Sequence, residues 1–299
     1  MDRFHVMTVF VAVAEAESFA GGARRLRMSP PAVTRAIASL EDRLGVKLLT
    51  RTTRYVRVTD AGRRYLESAR RILAEADDAD AAAAGVNATP RGQLAVTAPA
   101  LFGRMFVMPC IVSYLRRFPD VSVSALLLDR VVNLLEEGID VGIRIGALPD
   151  STLRAIEVGH VRRVVCASAE YLAQHGVPRV PADLARHSVI SAGAVSPADE
   201  WRFVVGNRAI GVKVTPRLTA TTNDGALQAA LEGFGVTRLL SYQVAPYLAT
   251  SRLQVVLAEY EPPRLPIHVL HGEGRQASAK VRSFVDLLAA RLRSDKALA

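Results

Sequence analysis

The sequence predicts a multidomain α+β protein with an N-terminal winged helix-turn-helix, a long linker helix and a C-terminal α/β region. Three observations carry this. Ser18 to Arg35 holds two helix starts around a tight turn, basic charge is concentrated in one segment, and strand-like and helical runs alternate from residue 92 onward. At 299 residues and 50% hydrophobic content the chain can bury a sizeable core.

Val6 to Ala14 is apolar enough to imitate a leader peptide, but Asp2 offsets Arg3 and the acidic Glu15 and Glu17 follow, so it reads as an amphipathic first helix. Ser18 is the expected N-cap of a second helix ending at Leu26. Ser29 is the expected N-cap of a third, whose first residues, Pro30 and Pro31, need no backbone donor. Val33, Ile37, Leu40 and Leu44 form its expected buried stripe. Thr34, Arg35, Ala38 and Ser39 lie opposite and are small or hydrogen-bonding side chains suited to base edges in a major groove. Val46 to Leu49 and Tyr55 to Val58 then suggest a two-stranded wing. Arg51 and Arg54 near its tip are suited to phosphates or a narrow minor groove, the alternative being a solvated hairpin.

Residues 24 to 71 carry thirteen Lys+Arg against four Asp+Glu, a net of +9 that equals the formal charge of the whole chain. Arginine outnumbers lysine 34 to 4, a preference that explains the choice of cation but not its confinement to one segment. Such confinement is the footprint of a polyanion partner.

Thr59 is the expected cap of a helix running to about Val86. Tyr65, Ala69, Ile72, Ala76, Ala79 and Ala83 repeat along it with four-three spacing, the seam of a coiled coil; a helix docked on its own domain is the alternative. These positions are the candidate dimerisation residues. Asn87 to Gly92 is rich in helix-ending residues and reads as a hinge. The divisions are therefore 1–58 for the winged domain, 59–91 for the linker helix and hinge, and 92–299 for the remainder.

Beyond the hinge the expected order is a strand at Leu94 to Thr97, a helix through Leu115, a strand at Val121 to Leu126, a helix to Glu137, and a strand at Val141 to Ile145. Further strands are expected at Arg163 to Ala167, Ile210 to Val214, Val236 to Leu240, Leu253 to Leu257 and Ile267 to Leu270. A final helix bears Val281, Phe284, Val285, Leu288 and Leu292. This alternation argues for mainly parallel sheets. Ligands in such sheets bind beyond strand ends, so the candidate cleft residues are Pro99, Ala100, Leu101, Phe102, Arg144, Thr222 and Asn223. The helix opening after Pro99 offers backbone N–H groups to an anion. Arg144 suits a carboxylate or, equally, an interlobe salt bridge. Thr222 either faces the cleft or caps the helix it begins.

Cys110 and Cys166 both sit in apolar runs with no C-x-x-C, as core cysteines do. The six histidines are scattered, and no G-x-S-x-G, H-E-x-x-H or P-loop spacing occurs, so neither a hydrolytic nor a metal-dependent enzyme has a sequence anchor. Gly233-Phe234-Gly235 follows a helix and precedes a strand, the reverse of a dinucleotide fingerprint. A nonspecific DNA-packing protein would explain the basic segment but not two hundred residues of α/β sequence. No cofactor and no membrane span are expected.

The run from Phe4 to Gly62, with V-A-E-A-E-S-F-A, S-P-x-A-V-T-R-A-I-x-x-L-E-x-R-L-G-V-K-L-L-x-R-T-T-R and V-T-D-A-G, resembles the DNA-binding domain of the LysR-type transcriptional regulators. D-R-V-V-N-L-L-E-E-G-I-D-V-G-I-R-I-G from Asp129 to Gly146, followed by L-P-D-S-T-L, is similar to the effector domain of one branch of that family. The resemblance implies two lobes like those of type 2 periplasmic binding proteins, lobe I at about 92–162 and 265–299 and lobe II at about 163–264. It also implies a bacterial, cytoplasmic, dimeric or tetrameric regulator of an inverted-repeat double-stranded operator. A small, anionic effector between the lobes and RNA polymerase are its expected further partners. Two departures stand out. Arg27 and Pro31 occupy positions where the family usually has glycine and serine, so Arg27 either contacts phosphate or only fills the turn. Gly21-Gly22 replace common alanines, at about 1 kcal/mol each in helix propensity unless close packing requires them.

Overall fold

Side-chain caps set the N-terminal helices in the computed structural model, which describes residues 2–51, 56–83, 89–130, 132–148, 153–192, 199–206, 208–272 and 278–298. The chain divides into two compact units, Met1–Ala88 and Thr89–Ala299. In the first, Asp2 caps α1 (Arg3–Ala16) by accepting the Phe4 N–H at 3.2 Å. Ser18 Oγ accepts from Gly21 N at the start of α2 (Phe19–Leu26), and Ser29 Oγ accepts from Ala32 N at the start of α3 (Pro30–Leu44). Val6, Val9, Phe10 and Val13 of α1 pack with Val33, Ile37 and Leu40 of α3. Each such buried side chain contributes about 1.5–3 kcal/mol.

Leu44 departs from the expected stripe, being 40% exposed. Gly45, at φ 66°, reverses the chain in the left-handed region, so the helix ends before Leu44 reaches the core. The wing strand also starts later than expected. β1 (Leu49–Arg51) pairs antiparallel with β2 (Val56–Val58), while Val46 is exposed and the Leu48 and Leu49 N–H groups donate to the Glu41 carboxylate instead. Thr59 Oγ1 caps α4 (Asp60–Ala83), accepting from Gly62 N at 2.9 Å and donating to the Lys47 carbonyl at 2.8 Å. Arg54, Val86 and the hinge residues Asn87 and Ala88 lie outside the described residues.

The second unit holds two five-stranded sheets. Its chain order opens with β3 (Gly92–Ala98), α5 (Ala100–Phe102), a π-helical turn (Gly103–Val107), α6 (Met108–Arg117), β4 (Val121–Leu127), β5 (Val141–Ile145) and β6 (Arg154–Val161). It crosses at Arg162 into β7 (Arg163–Ser168), α7 (Ala169–His175), β8 (Val189–Ala192), a hairpin of β9 (Asp199–Val205) and β10 (Arg208–Val214), and β11 (Pro216–Ala220). There follow α8 (Asn223–Leu231), β12 (Val236–Leu240), α9 (Ser241–Ala249) and β13 (Leu253–Val256). The chain then returns to β14 (Leu265–His271) and ends on α10 (Ala279–Arg293) and a short 3-10 turn.

The strand orders are β4-β3-β5-β14-β6 and β11-β8-β12-β7-β13. In each sheet four strands run one way, as the alternation predicts, and one, β14 or β7, runs against them and pairs antiparallel on both sides. The reason is topological. The crossover at Arg162 brings β7 into the second sheet, and the return brings β14 into the first, against the direction of the strands beside them. The expected helix up to Glu137 is absent: residues 134–138 form turns. Asn133 Oδ1 accepts from Leu135 N at 3.2 Å and Gly138 takes φ 63°, local alternatives to helix propagation. Strands β6, β8, β9 and β11 and helices α7 and α9 were not expected. The β9–β10 hairpin places Trp201 and Phe203 over Val165 and Val236 of the second sheet.

Candidate nucleic-acid interface and effector cleft

The exposed side of α3 is assembled by what its other side buries. Val33, Ala36, Ile37 and Leu40 are at most 2% exposed, which directs Arg35, Ala38 and Ser39 to solvent and leaves Thr34 half-buried. Ser29, Pro30 and Pro31 are exposed at the helix start. Arg51 lies in β1, paired through its backbone with Val56. Arg27 takes the turn with its backbone, ending α2 at φ 54° with its N–H donating to the Ala23 and Arg24 carbonyls where glycine is normally favoured, and its side chain is exposed.

Among the described residues of this unit, Glu41 is a buried charged side chain that is not one of the candidates above. At 7% exposure its carboxylate accepts from Lys47 Nζ at 2.8 Å and from the Leu48 and Leu49 N–H groups at 3.0 and 3.1 Å. Burial alone pushes this carboxyl up, but the hydrogen bonds from Lys47, Leu49 and Leu48, with the Lys47 charge, together hold it below the ordinary glutamate value. The recognition helix and the wing are thereby joined through one side chain. Its signal was its position four residues after Ile37, on the apolar face.

The candidate dimer seam is only partly free. Tyr65 stacks edge-on against Phe10 of α1 with ring centroids 5.4 Å apart, and Ala69 is fully buried within its own unit. Ala69 is therefore corrected to an intramolecular packing residue, and Tyr65, partly buried, packs on α1 where the first turns of α4 dock. Glu15 reinforces the docking, receiving hydrogen bonds from Arg25 of α2 and Arg70 of α4. Ile72 and Ala76 remain half-buried, and Ala79 and Ala83 continue the same helix.

In the second unit a cavity of about 370 Å³ opens where the parallel strands of both sheets end. Pro99, Asp129 and Ile145 come from the carboxyl ends of β3, β4 and β5, and Ala192 and Leu240 from those of β8 and β12. Of the expected residues, Pro99, Arg144 and Asn223 line it. Leu101 and Phe102 do not: they are 3% and 0% exposed in the core behind it. The Ala100 N–H donates to Asp129 Oδ1 at 3.0 Å, so the chain's own carboxylate occupies the helix start that was expected to hold an anion. Thr222 is exposed and caps α8, its hydroxyl accepting from Gly225 N.

Arg144 donates one N–H to the Val132 carbonyl at 2.6 Å, and burial lowers its pKa below the usual arginine value while Glu137 opposes the shift. Among the described residues Arg144 makes no ion pair, whereas Arg104 of the π-helical turn and Asp224 of α8 approach at 4.0 Å. Cavity residues missed in the sequence are Asp129, Arg130, Arg163, Arg238, Tyr242 and Gln243. The two strand arginines did leave a signal, each being a lone charge type within an apolar run, V-R-R-V-V and V-T-R-L-L. Tyr242 packs between Phe102 and Phe106 at 5.3 and 5.6 Å. Burial first, then the Asp129 and Asp224 charges, push its phenol up, with the Gln243 hydrogen bond opposing.

Cys110 and Cys166 are both fully buried and free, with burial pushing the Cys166 thiol up to about 12. Among the described residues no cluster of histidine, cysteine and carboxylate side chains is placed to hold a metal ion, and no helix is long and apolar enough to cross a membrane.

A winged helix-turn-helix followed by a long helix and a two-sheet α/β unit with a cleft at its strand ends defines the class of ligand-responsive DNA-binding regulators. Residues 4–63 match the family described as bacterial regulatory helix-turn-helix protein, lysR family, and residues 87–293 match the LysR substrate binding domain. The chain is 32% identical over 290 residues to the HTH-type transcriptional activator AaeR of Escherichia coli, covering 96% of this chain and 93% of that protein. It is 31% identical to the solved CrgA of Neisseria meningitidis, a LysR-type transcriptional regulator, with a TM-score of 0.62 over 96% of this chain and 98% of that one. The full-length Vibrio cholerae virulence activator AphB shares the fold at 23% identity, with a TM-score of 0.61 over 97% and 99%. The chain belongs to the LysR family of transcriptional regulators.

Proposed function

We propose that this regulator reads an inverted-repeat operator as a dimer or tetramer, and that a small anionic metabolite bound in the 370 Å³ cleft changes its arrangement on DNA. Regulators of this family bind DNA through the helix-turn-helix, take small-molecule effectors and form oligomers. The observation that carries the reading is the solvent-facing side of α3, where Arg35 and Ser39 stand clear of the core beside Thr34. Thr34 and Arg35 are assigned to bases, and Ser29, Pro30 and Pro31 to the groove edge. Arg51 and Arg54 are assigned to phosphates of the adjoining backbone. The dimer seam is assigned to Ile72, Ala76, Ala79 and Ala83. The effector is held between lobe I (about 92–162 and 265–299) and lobe II (about 163–264) by Arg144 and Asn223, without being turned over. The protein works where its operator is, in the cytoplasm, and RNA polymerase is its partner there.

Arg35→Ala is expected to lose about 1–3 kcal/mol on operator DNA and to narrow the gap to random DNA. Quantitative footprinting on both DNAs checks this. Equal losses on the two would demote Arg35 to a phosphate contact.

A further inference from the structure

Four guanidiniums line the cleft, and they are not equivalent. Arg130 is already paired, donating to both carboxylate oxygens of Glu137 at 3.0 and 3.2 Å. Arg238 lies over the Trp201 ring at 5.0 Å and belongs to the packing of the β9–β10 hairpin. Arg144 commits one N–H to the Val132 carbonyl, which leaves most of its fork for other acceptors. Arg163 differs from all three. It is half-buried at the first position of β7, no carboxylate pairs with it among the described residues, and the charge acting on it is another cation, Arg202.

A half-desolvated guanidinium beside a like charge is unfavourable until an anion arrives. Arg144 belongs to the first sheet and Arg163 to the second. The cavity wall contributed by Ile145, Leu239, Leu240 and Leu265 is apolar. Resting on the cleft reading above, we infer that the effector is a small dianion with an apolar middle, one anionic group on Arg144 and the other on Arg163. Such a ligand ties one sheet to the other, which a monoanion on either arginine does not. Bidentate pairing with a carboxylate at each end sets its orientation. The cavity volume stands near the lower end of small-molecule sites, about 300–1,000 Å³, as a compact ligand requires.

Calorimetry on the full-length chain with matched probes tests this: butanoate against succinate, hexanoate against adipate, benzoate against terephthalate. In at least one pair the dicarboxylate is expected to bind tenfold tighter or better. Arg163→Gln should erase that advantage while leaving the monocarboxylate Kd within twofold, Arg163→Lys should keep part of it, and Arg144→Gln should weaken both members. Thermal melts of each variant confirm folding. Equal affinity within every pair overturns the inference, as does a wild-type protein that binds none of the series, or an Arg163→Gln variant that weakens both members alike. The cleft itself is tested separately with Asn223→Trp, which narrows it. If a monocarboxylate alone binds, is blocked by Asn223→Trp and alters the footprint, the dianion falls and the cleft reading stands. If Asn223→Trp leaves binding untouched, both fall.

Discussion

At Gly22, a Cβ would meet Val13 Cγ2 at 2.7 Å and the Val13 backbone at 3.0 Å, so the glycine is required by the approach of α1 to α2. The propensity that glycine forfeits in a helix, about 1 kcal/mol, is smaller than the strain of forcing those backbones apart, about 1–3 kcal/mol. Gly22→Ala is therefore expected to lower stability, read as a reduced denaturant midpoint, although alanine is the better helix former. Glu41 makes the second prediction at this scale. Its folded-state pKa lies below the ordinary glutamate value, so its contribution is fully present above the unfolded pKa of about 4.3 and is lost as pH falls through the folded value. Melting temperature should drop more steeply below pH 5 in the wild type than in Glu41→Gln. Parallel pH profiles would show that the carboxylate does not hold the wing to α3.

Among the elements, α4 packs on its own unit over its first turns. Those turns bury Ala69 fully and Tyr65 partly against α1. Sequence periodicity could not tell such docking from a dimer seam, because both require the same four-three spacing. Ile72→Asp places a carboxylate where the free seam begins, and two copies would bring two such charges together. Sedimentation is expected to show smaller species and operator binding to collapse, while the helix-turn-helix stays folded. An unchanged dimer would place the interface elsewhere. Caps, by contrast, were legible at once: Ser18, Ser29 and Thr59 each accept a backbone N–H within three residues. The sheets show the opposite case. Val141 to Ile145 and Val236 to Leu240 match their strands, yet no local pattern disclosed that β14 and β7 run against their neighbours.

For the molecule as a whole, the second unit is joined across its cleft at several points. Arg162 Nη1 donates to Glu261 at 3.0 Å, linking the outgoing crossover to the returning one. Tyr242, which follows β12 of the second sheet, lies in the core cluster of the first. Its ring meets Phe102 at an interplanar angle of 89° and Phe106 at 72°, edge-to-face in both cases. Tyr242→Ala should destabilise the protein by about 3–5 kcal/mol, as deletion of a large buried ring does, and should weaken effector binding at the same wall of the cleft. Tyr242→Phe keeps the rings and should cost far less. Calorimetric melts of the pair check this; equal losses would assign the stabilisation to the hydroxyl instead of the aromatic packing.

The sequence by itself determined the family, the helix-turn-helix with its caps, the exposed face of α3, and the placement of several core strands. Those features arise from interactions within about one helical turn or from side-chain periodicity along one element. It also located three cleft residues, Pro99, Arg144 and Asn223, because ligand sites follow strand ends in open α/β sheets. Only the tertiary structure decided that Phe102 supports the cleft from behind, that Asp129 takes the Ala100 N–H, and that Glu41 joins helix to wing. The same holds for Arg163, which enters the cleft because β7 pairs antiparallel with β12 after the chain has crossed between sheets. Each of these depends on which distant segments become neighbours, and that is set by sheet order and packing rather than by spacing along the chain.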